Sequence, residues 1–397
     1  MNKKEISEIK KQFTPENCSI TRICGCYVDA EKQIKTTLKE AFFALSEEEI
    51  FKYYEIFKKA LSGGIGKNLH NLEYSIHDEG PDSAHALLMK LRDEKIADDE
   101  TVDVFYNKVI ENYEYGENYY IILIHSAYDV PGKASDNEEM FDASEEVYNH
   151  ILCCICPVKL SEPGLSYNEA TNAIEERPRD WWVQAPMTGF LFPAFNDRSS
   201  DIHGVLYFSK NPEELHSEFI DACLGAPTPI SFKSQKEAFQ EILTDTLGEE
   251  CDYETVRQIH ENLTELAEEH KEDEVPLTLT KPEVKDLLEK SGVEPERLEH
   301  FDKVYEDAAG ENTAILVPAI TGTGKFAVKT PDVDIKVNPD RLDLVETKFI
   351  GGRRCLVIAV EDNVEVNGMP VKMWEEQKEA PEASPSEYLR CLRNRLR

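Results

Sequence analysis

Three observations predict an α+β fold for this chain of 397 residues. Residues 1–230 mix strand-length apolar runs with helical patterns, which indicates a mixed α+β domain. Residues 231–311 are acidic and helical in period, whereas residues 312–374 change to a period of two, which is typical of antiparallel strands. Residues 375–397 combine a Glu-, Ala- and Pro-rich linker with a basic tail.

Strands and capped helices are interleaved in the first region. Ser46 and Glu49 form a capping-box pattern that starts a helix, and Gly63 ends it. The segment 130–146 has no sustained period, so we predict a loop that ends in a short helix. The predicted strands are 22–30, 34–43, 119–125, 150–158, 190–194 and 205–209, and the other predicted helices are 81–96, 101–113 and 211–223.

Cap residues also mark the helices of the second region. We expect three of these helices to begin at Ser234, Asp252 and Thr280. Glu237 completes the cap at Ser234, and Glu283 completes the cap at Thr280. Residues 280–301 follow a helix-turn-helix outline, but the second helix is acidic and would repel DNA phosphates, so we expect an ordinary αα-hairpin. Residues 314–320 are the first predicted strand of the antiparallel region, whose clearest hairpin turns at Gly351-Gly352.

Charge and hydropathy exclude several classes of protein. The 78 acidic and 44 basic residues give a net charge of −34, which repels nucleic acid and anionic membranes. We therefore expect no membrane partner and no strong DNA binding by the body of the protein. No apolar run has the length of a membrane span, and residues 1–11 alternate Lys and Glu where a signal peptide would be apolar. These patterns predict a cytoplasmic protein.

The cysteines admit two interpretations. A zinc site would form if two predicted strands that carry cysteines lay side by side. One strand has Cys24 and Cys26, and the other has Cys153, Cys154 and Cys156. Alternate residues of a strand do not converge well on one metal, and buried cysteine behaves as a small apolar residue. We therefore expect reduced core thiols, no metal and no cofactor.

The densest polar cluster between two apolar strands runs from 196 to 203. Asp197, Asp201 and His203 have the chemistry of a base and its orienting partner, and Arg198 has the chemistry to hold an anion. Asn196 begins the loop and is the fifth candidate. Asn, Asp and Ser are also common turn residues, so a purely structural turn is the alternative. These five residues are the catalytic candidates.

Other motifs favour structural interpretations. His125 ends a predicted strand and is expected to be hydrogen-bonded rather than catalytic. Trp181-Trp182 would stack a base or sugar, but we expect them to pack between the two halves of the first region. Gly322 to Lys325 is too short for a phosphate-binding loop and precedes a strand, which indicates a turn.

The last eight residues carry a separate cluster of positive charge. It is suited to RNA, to an acidic protein surface or to the acidic helices of the chain itself, and a solubilising end is the alternative. The candidate partner-binding residues are Arg390, Arg393, Arg395 and Arg397.

Residues 2–6, 19–28 and 192–198 resemble a bacterial family of domains of unknown function from low-GC Gram-positives. The resemblance covers most of the chain. It implies a bacterial cytoplasmic origin and says nothing about activity. Our preferred hypothesis is a non-enzymatic interaction or regulatory protein. The alternatives are a hydrolase or nucleotide-handling enzyme that uses the loop 196–203, and a nucleic-acid-associated protein that uses the C-terminal arginines.

Removal of residues 386–397 should cost little stability, because the preceding linker has too few apolar residues to order itself. If the tail binds RNA or an acidic protein, the truncation should abolish that association. Binding by the full chain should weaken steeply as salt rises. Filter binding at several salt concentrations measures both effects, and association that survives truncation would contradict the hypothesis.

Overall fold

The computed structural model describes residues 1–74, 80–133, 139–248, 251–310, 313–321, 326–360, 364–366 and 369–371. The chain forms two compact units, residues 1–324 and 325–397. Helices and antiparallel sheets are both present, which confirms the α+β prediction. The division at residues 230, 311 and 374 stays a prediction.

The described helices and strands of the first unit are numbered in chain order. The helices are α1 (Lys3–Lys11), α2 (Glu47–Ala60), α3 (Ala84–Asp93), α4 (Asp99–Asn112), α5 (Ser217–Phe219), α6 (Phe232–Leu247), α7 (Tyr253–Glu269), α8 (Lys281–Lys290), α9 (Phe301–Ala309) and α10 (Val317–Thr321). The strands are β1 (Ile20–Val28), β2 (Ile34–Ala41), β3 (Leu69–Glu73), β4 (Tyr119–Lys133), β5 (Glu139–Leu160), β6 (Leu165–Asn168), β7 (Ala173–Glu176), β8 (Trp181–Val183), β9 (Thr188–Phe192), β10 (Ala194–Asn196), β11 (Ser199–Asp201), β12 (Gly204–Ser209), β13 (Thr278–Leu279) and β14 (Ile315–Leu316). None of these helices combines the length and the apolar composition that a membrane span requires.

An antiparallel sheet organises the N-terminal part of the first unit. Its strands lie in the order β2, β1, β4, β5, β9, β12, β3, and β8 pairs with β5 beside this path. The central pair, β4 and β5, is in register from Tyr119 opposite Pro157 to Val130 opposite Glu146, and after two register shifts it ends with Lys133 opposite Glu139. The six strands predicted in this region are confirmed.

Both faces of the sheet are covered by helices. α3, α4 and α5 pack on one face, and α1 and α2 pack on the other. The alternation of β4 places Ile121 and Leu123 in the first core and Ile122 and Ile124 in the second. Each fully buried side chain of this size contributes about 1.5–3 kcal/mol. Because both faces are buried, the central strands are continuous apolar runs in the sequence.

Two predictions in the first region need correction. Residues 130–133 and 139–146 belong to β4 and β5 and not to a loop with a short helix. Bulges after Val130 and Pro131 interrupt the side-chain alternation, so the sequence shows no period although the backbone remains paired. The helix predicted from residue 211 begins only at Ser217, because Ser209 Oγ lies 2.8 and 2.7 Å from the carbonyl oxygens of Asn211 and Glu214 and holds a turn.

The helices α6 to α10 surround a third core. Asp252 caps α7, and Thr280 forms a capping box with Glu283 at α8, both as predicted. α6 begins earlier than predicted, since Ser231 accepts the backbone N–H of Ser234 and is the cap. The strand predicted at 314–320 is wrong beyond Leu316: residues 317–321 are helical, and they place Val317 and Ile320 in the helical core.

The second unit contains antiparallel hairpins. Those described are β15 (Phe326–Lys329) with β16 (Asp334–Val337), β17 (Val345–Ile350) with β18 (Arg353–Ile358), and β19 (Val364–Val366) with β20 (Met369–Val371). The turn at Gly351-Gly352 is confirmed: Ile350 pairs with Arg353, and the two glycines have φ angles of 59° and 79°. Positive φ at both central residues is the requirement of a type I′ turn.

Two buried histidines occupy opposite faces of the central sheet. His125 Nδ1 lies 2.7 Å from Thr21 Oγ1, and the ring of His150 stacks on Tyr148 at 4.4 Å. Burial, with the nearby charges of Lys95 and Arg92, lowers the pKa of His125 to about 4. Burial lowers the pKa of His150 to about 3. Both rings are therefore neutral in the folded protein near pH 7, and the structural role predicted for His125 agrees with its hydrogen bond.

The free energy of unfolding should fall as the pH falls from about 6.5 to about 4. In that window the unfolded chain protonates these histidines at their ordinary pKa of about 6.5 while the folded chain does not. His150→Phe keeps an aromatic ring and removes one of the histidines that titrate in this window, so it should make the slope shallower. Urea denaturation at a series of pH values measures the effect, and an unchanged slope in the variant would contradict it.

Candidate functional site

The loop predicted to carry catalysis is a tight hairpin. β10 pairs with β11, and the turn residues Asp197 and Arg198 have φ angles of 52° and 58°. A left-handed conformation costs a non-glycine residue about 1–2 kcal/mol. Contacts outside the hairpin must offset that cost.

Carboxylates from α1 hold the turn. The backbone N–H of Asp197 donates to Glu5 Oε1 at 2.7 Å, and the Arg198 guanidinium lies 3.0 Å from Glu8 Oε1. Glu5 also accepts the N–H of Asn2 in the capping box of α1, and Glu8 accepts the Tyr128 hydroxyl. One short helix thus positions both turn residues.

The other candidate side chains bond within the hairpin or to its neighbour. Asn196 Nδ2 donates to Asp201 Oδ2 at 2.6 Å, and the N–H of His203 donates to Asp201 Oδ1 at 3.0 Å. From β5, the carboxylate of Glu146 accepts the Ser199 hydroxyl and the N–H of Ser200. The carboxylate of Asp201 is therefore engaged at both oxygens.

A polar cleft of about 1070 Å³ runs between α1 and the end of β4 beside this hairpin. Its lining includes Asp197 and Arg198 and does not include Asn196, Asp201 or His203. The structure therefore brings two of the five candidates to one open cleft. Within the cleft, Arg198 forms an ion pair with Glu8, and both side chains are mostly buried.

The five cysteines considered as zinc ligands lie on strands, as predicted, and divide between the two faces of the sheet. Cys24, Cys26 and Cys153 belong to one core, and Cys154 and Cys156 belong to the other. Burial raises the pKa of Cys24 to about 11 and that of Cys26 to about 12, so these thiols are protonated. Among the described residues, no three His, Cys, Asp or Glu side chains are grouped to hold a metal ion.

The tryptophans do not pack between two halves of the region, and that prediction is wrong. Trp181 and Trp182 lie on β8 at the margin of the sheet, 56% and 55% exposed. β8 pairs with β5 at Val158, Lys159 and Leu160, and both indole rings remain more than half exposed.

Sequence reasoning missed a second hairpin, formed by β6 and β7. Tyr167 pairs with Ile174, and Leu165 lies two residues before Tyr167 on the same face. The three side chains are 57%, 63% and 76% exposed respectively. The alternation of apolar and polar residues over 165–168 was the signal that could have identified it.

The remaining predicted motifs lie outside the described residues. They are the turn at residues 322–325 and the arginines at 390, 393, 395 and 397.

Comparison with known proteins gives one family. A family model described as "Domain of unknown function (DUF4317)" matches residues 1–369 of the chain. The resemblance to a family of domains of unknown function is thereby confirmed. A search of curated proteins found no match.

Arg198→Ala should lower the melting temperature by about 2 °C or more, because it leaves Glu8 without its cation and removes one of the two contacts that hold the turn. A loss near 1 kcal/mol shifts a unit of this size by that amount. Thermal melts followed by circular dichroism measure it.

Lys52→Ala is the matched control, since Lys52 belongs to an exposed ion pair with Glu55 that should contribute almost nothing. Equal melting temperatures for wild type and Arg198→Ala would contradict the structural role of the hairpin and return Arg198 to the catalytic candidates.

Proposed function

The chain belongs to the DUF4317 family, and we propose that it is a non-enzymatic, cytoplasmic protein-docking module whose binding surface is the β6–β7 hairpin. The observation that carries the proposal is the exposed apolar face formed by Leu165, Tyr167 and Ile174. The cytoplasmic part is supported by the described cysteines, which are all free thiols, as expected in a reducing compartment.

The hairpin is anchored at its base, which supports a binding role. Ser161 N–H donates to the Asp180 carbonyl at 2.9 Å, the N–H of Asp180 donates to Ser161 Oγ, and Arg179 Nε donates to the Ser161 carbonyl. The N–H of Arg177 donates to the Gly164 carbonyl. A two-stranded hairpin is marginally stable alone, so these bonds give its apolar face a defined position before any partner arrives.

The apolar side chains of the hairpin are left exposed by folding, so their burial against a partner would contribute to the free energy of binding. Burial of apolar area contributes roughly 25 cal/mol per Å², and aromatic residues are over-represented among the side chains that dominate interface affinity. Tyr167 on the hairpin and Trp181 and Trp182 on the strand that follows are of this type. Exposed apolar clusters of this kind commonly mark interaction sites.

A protein is the partner that the charges favour. Glu162, Glu169, Glu175 and Glu176 flank or belong to the hairpin, against Arg177 and Arg179, and the whole chain carries −34. Phosphates would be repelled, whereas an apolar protein surface would not. The C-terminal arginines remain a proposed second contact for RNA or an acidic protein.

The alternative, a hydrolase or nucleotide-handling enzyme at residues 196–203, has weaker support. Such an enzyme requires its acid, base and anion-binding groups to face one cleft. The hydrogen bonds of Asp201 and the ion pair of Arg198 engage these groups inside the fold.

A photo-crosslinking phenylalanine analogue in place of Tyr167 should capture a discrete protein partner in cells of the source organism. The same analogue at Val104, which is 50% exposed on α4, is the matched control. Tyr167→Ser with Ile174→Ser should abolish co-purification of that partner and leave the melting temperature unchanged, because both side chains are exposed.

Crosslinking at residue 167 no greater than at residue 104 would contradict the proposal. A crosslink to a second copy of the chain would identify the partner as itself.

A further inference from the structure

An apolar groove of about 560 Å³ lies between α2 and β8, and we call it the α2–β8 groove. Such a volume is in the range of ligand pockets. Its walls and floor consist of Phe51, Tyr53, Ile56, Tyr120 and Val183, and its rim consists of Glu48, Glu49 and Lys52.

The floor of the α2–β8 groove is preformed. The Tyr120 ring lies over Gly25 of β1, where any Cβ would collide with it, so only glycine leaves room for this ring. Its hydroxyl lies 3.3 Å from the hydroxyl of Tyr53. The Tyr53 ring stacks on Phe57 with an interplanar angle of 19°. Because these contacts hold the aromatic rings, an occupant would lose little free energy to reorganisation of the groove.

The rim of the groove is negatively charged. Lys52 forms an ion pair with Glu55 at 3.2 Å, so its charge is already matched. Glu48 and Glu49 remain beside it in the first turn of α2. Hydrogen bonds from the Ser46 side chain and backbone lower the pKa of Glu49, which keeps this carboxylate ionised. An occupant that carries Lys or Arg beside its apolar part is complementary to this rim.

The strand β8, which forms one wall of the groove, follows closely in sequence the hairpin proposed for docking. Only residues 177–180 separate β7 from β8, the strand that supplies Val183. Trp181 lies two residues before Val183 and therefore on the same face of the strand. Val183 is 37% exposed and Phe51 is 43% exposed, so both walls are open to a partner.

We propose that the α2–β8 groove binds an apolar side chain of a partner-protein segment in which Lys or Arg residues flank that apolar anchor. This inference rests on the proposed docking function and specifies the chemistry of the partner. The apolar walls bury the anchor, and the carboxylates at the rim select the flanking cations.

The test uses the full chain and a fluorescein-labelled peptide of twelve residues, built from Leu and Arg in an amphipathic helical order, with binding followed by fluorescence anisotropy. Val183→Arg and Phe51→Arg each place a cation in the groove and should weaken binding at least tenfold. Val104→Arg makes the same change of charge on α4, away from the groove, and should bind as wild type does. The same peptide with Ser in place of Leu, or with Glu in place of Arg, should not bind.

Equal affinity for all three arginine variants would show attraction to the acidic body alone and would overturn the proposal. So would binding of the Glu-containing peptide, or failure of the Arg-containing peptide to bind at all. Circular dichroism shows whether each variant is folded. If Val183→Arg is not folded, the affinity of Phe51→Arg for the peptide tests the proposal.

The two proposals fail separately. Peptide binding should persist in the Tyr167→Ser, Ile174→Ser variant. Intact peptide binding without crosslinks at residue 167 would remove only the hairpin proposal, and crosslinks at residue 167 without peptide binding would remove only the groove.

Discussion

The rest of the N-terminal part depends on the pairing of β4 with β5. These strands lie at the centre of the sheet and supply residues to both cores, so the helices on each face pack against the same two strands. A charged or polar side chain in either strand, from Ile121 to Ile124 or from Ile151 to Cys156, would be buried whichever face it occupied. That constraint explains why cysteine, a small apolar residue, is tolerated so often there.

Burial also governs how the polar residues near the sheet are used. Buried polar groups must find hydrogen-bond partners, and the hairpin around Asp197 and Arg198 finds them on α1 and β5. Glu5 and Glu8 accept from the turn, and in the same structure they cap the helix and bind Tyr128. A cluster that has the composition of a catalytic loop therefore connects three elements of the fold.

The outer surface combines high negative charge with local apolar areas. A net charge of −34 repels other polyanions at long range. The β6–β7 hairpin and the α2–β8 groove are local apolar areas on this acidic surface. The protein binding proposed for them relies on short-range contact, which requires a partner of complementary shape. For the partner proposed at the groove, charge at the rim favours encounter and apolar area inside the groove favours retention.

The sequence by itself determined which segments form most of the elements, because caps, turns and apolar periods are local properties. Ser46 with Glu49, Asp252 and Gly351-Gly352 act within a few residues of themselves, and the structure confirms all three. The tertiary structure decided what depends on distant partners. It kept residues 130–133 and 139–146 extended through pairing across the sheet, and it bound Arg198 to Glu8, 190 residues away in sequence. It also left Trp181 and Tyr167 exposed, because exposure depends on whether another layer of the fold reaches a strand, and no local pattern of residues contains that information.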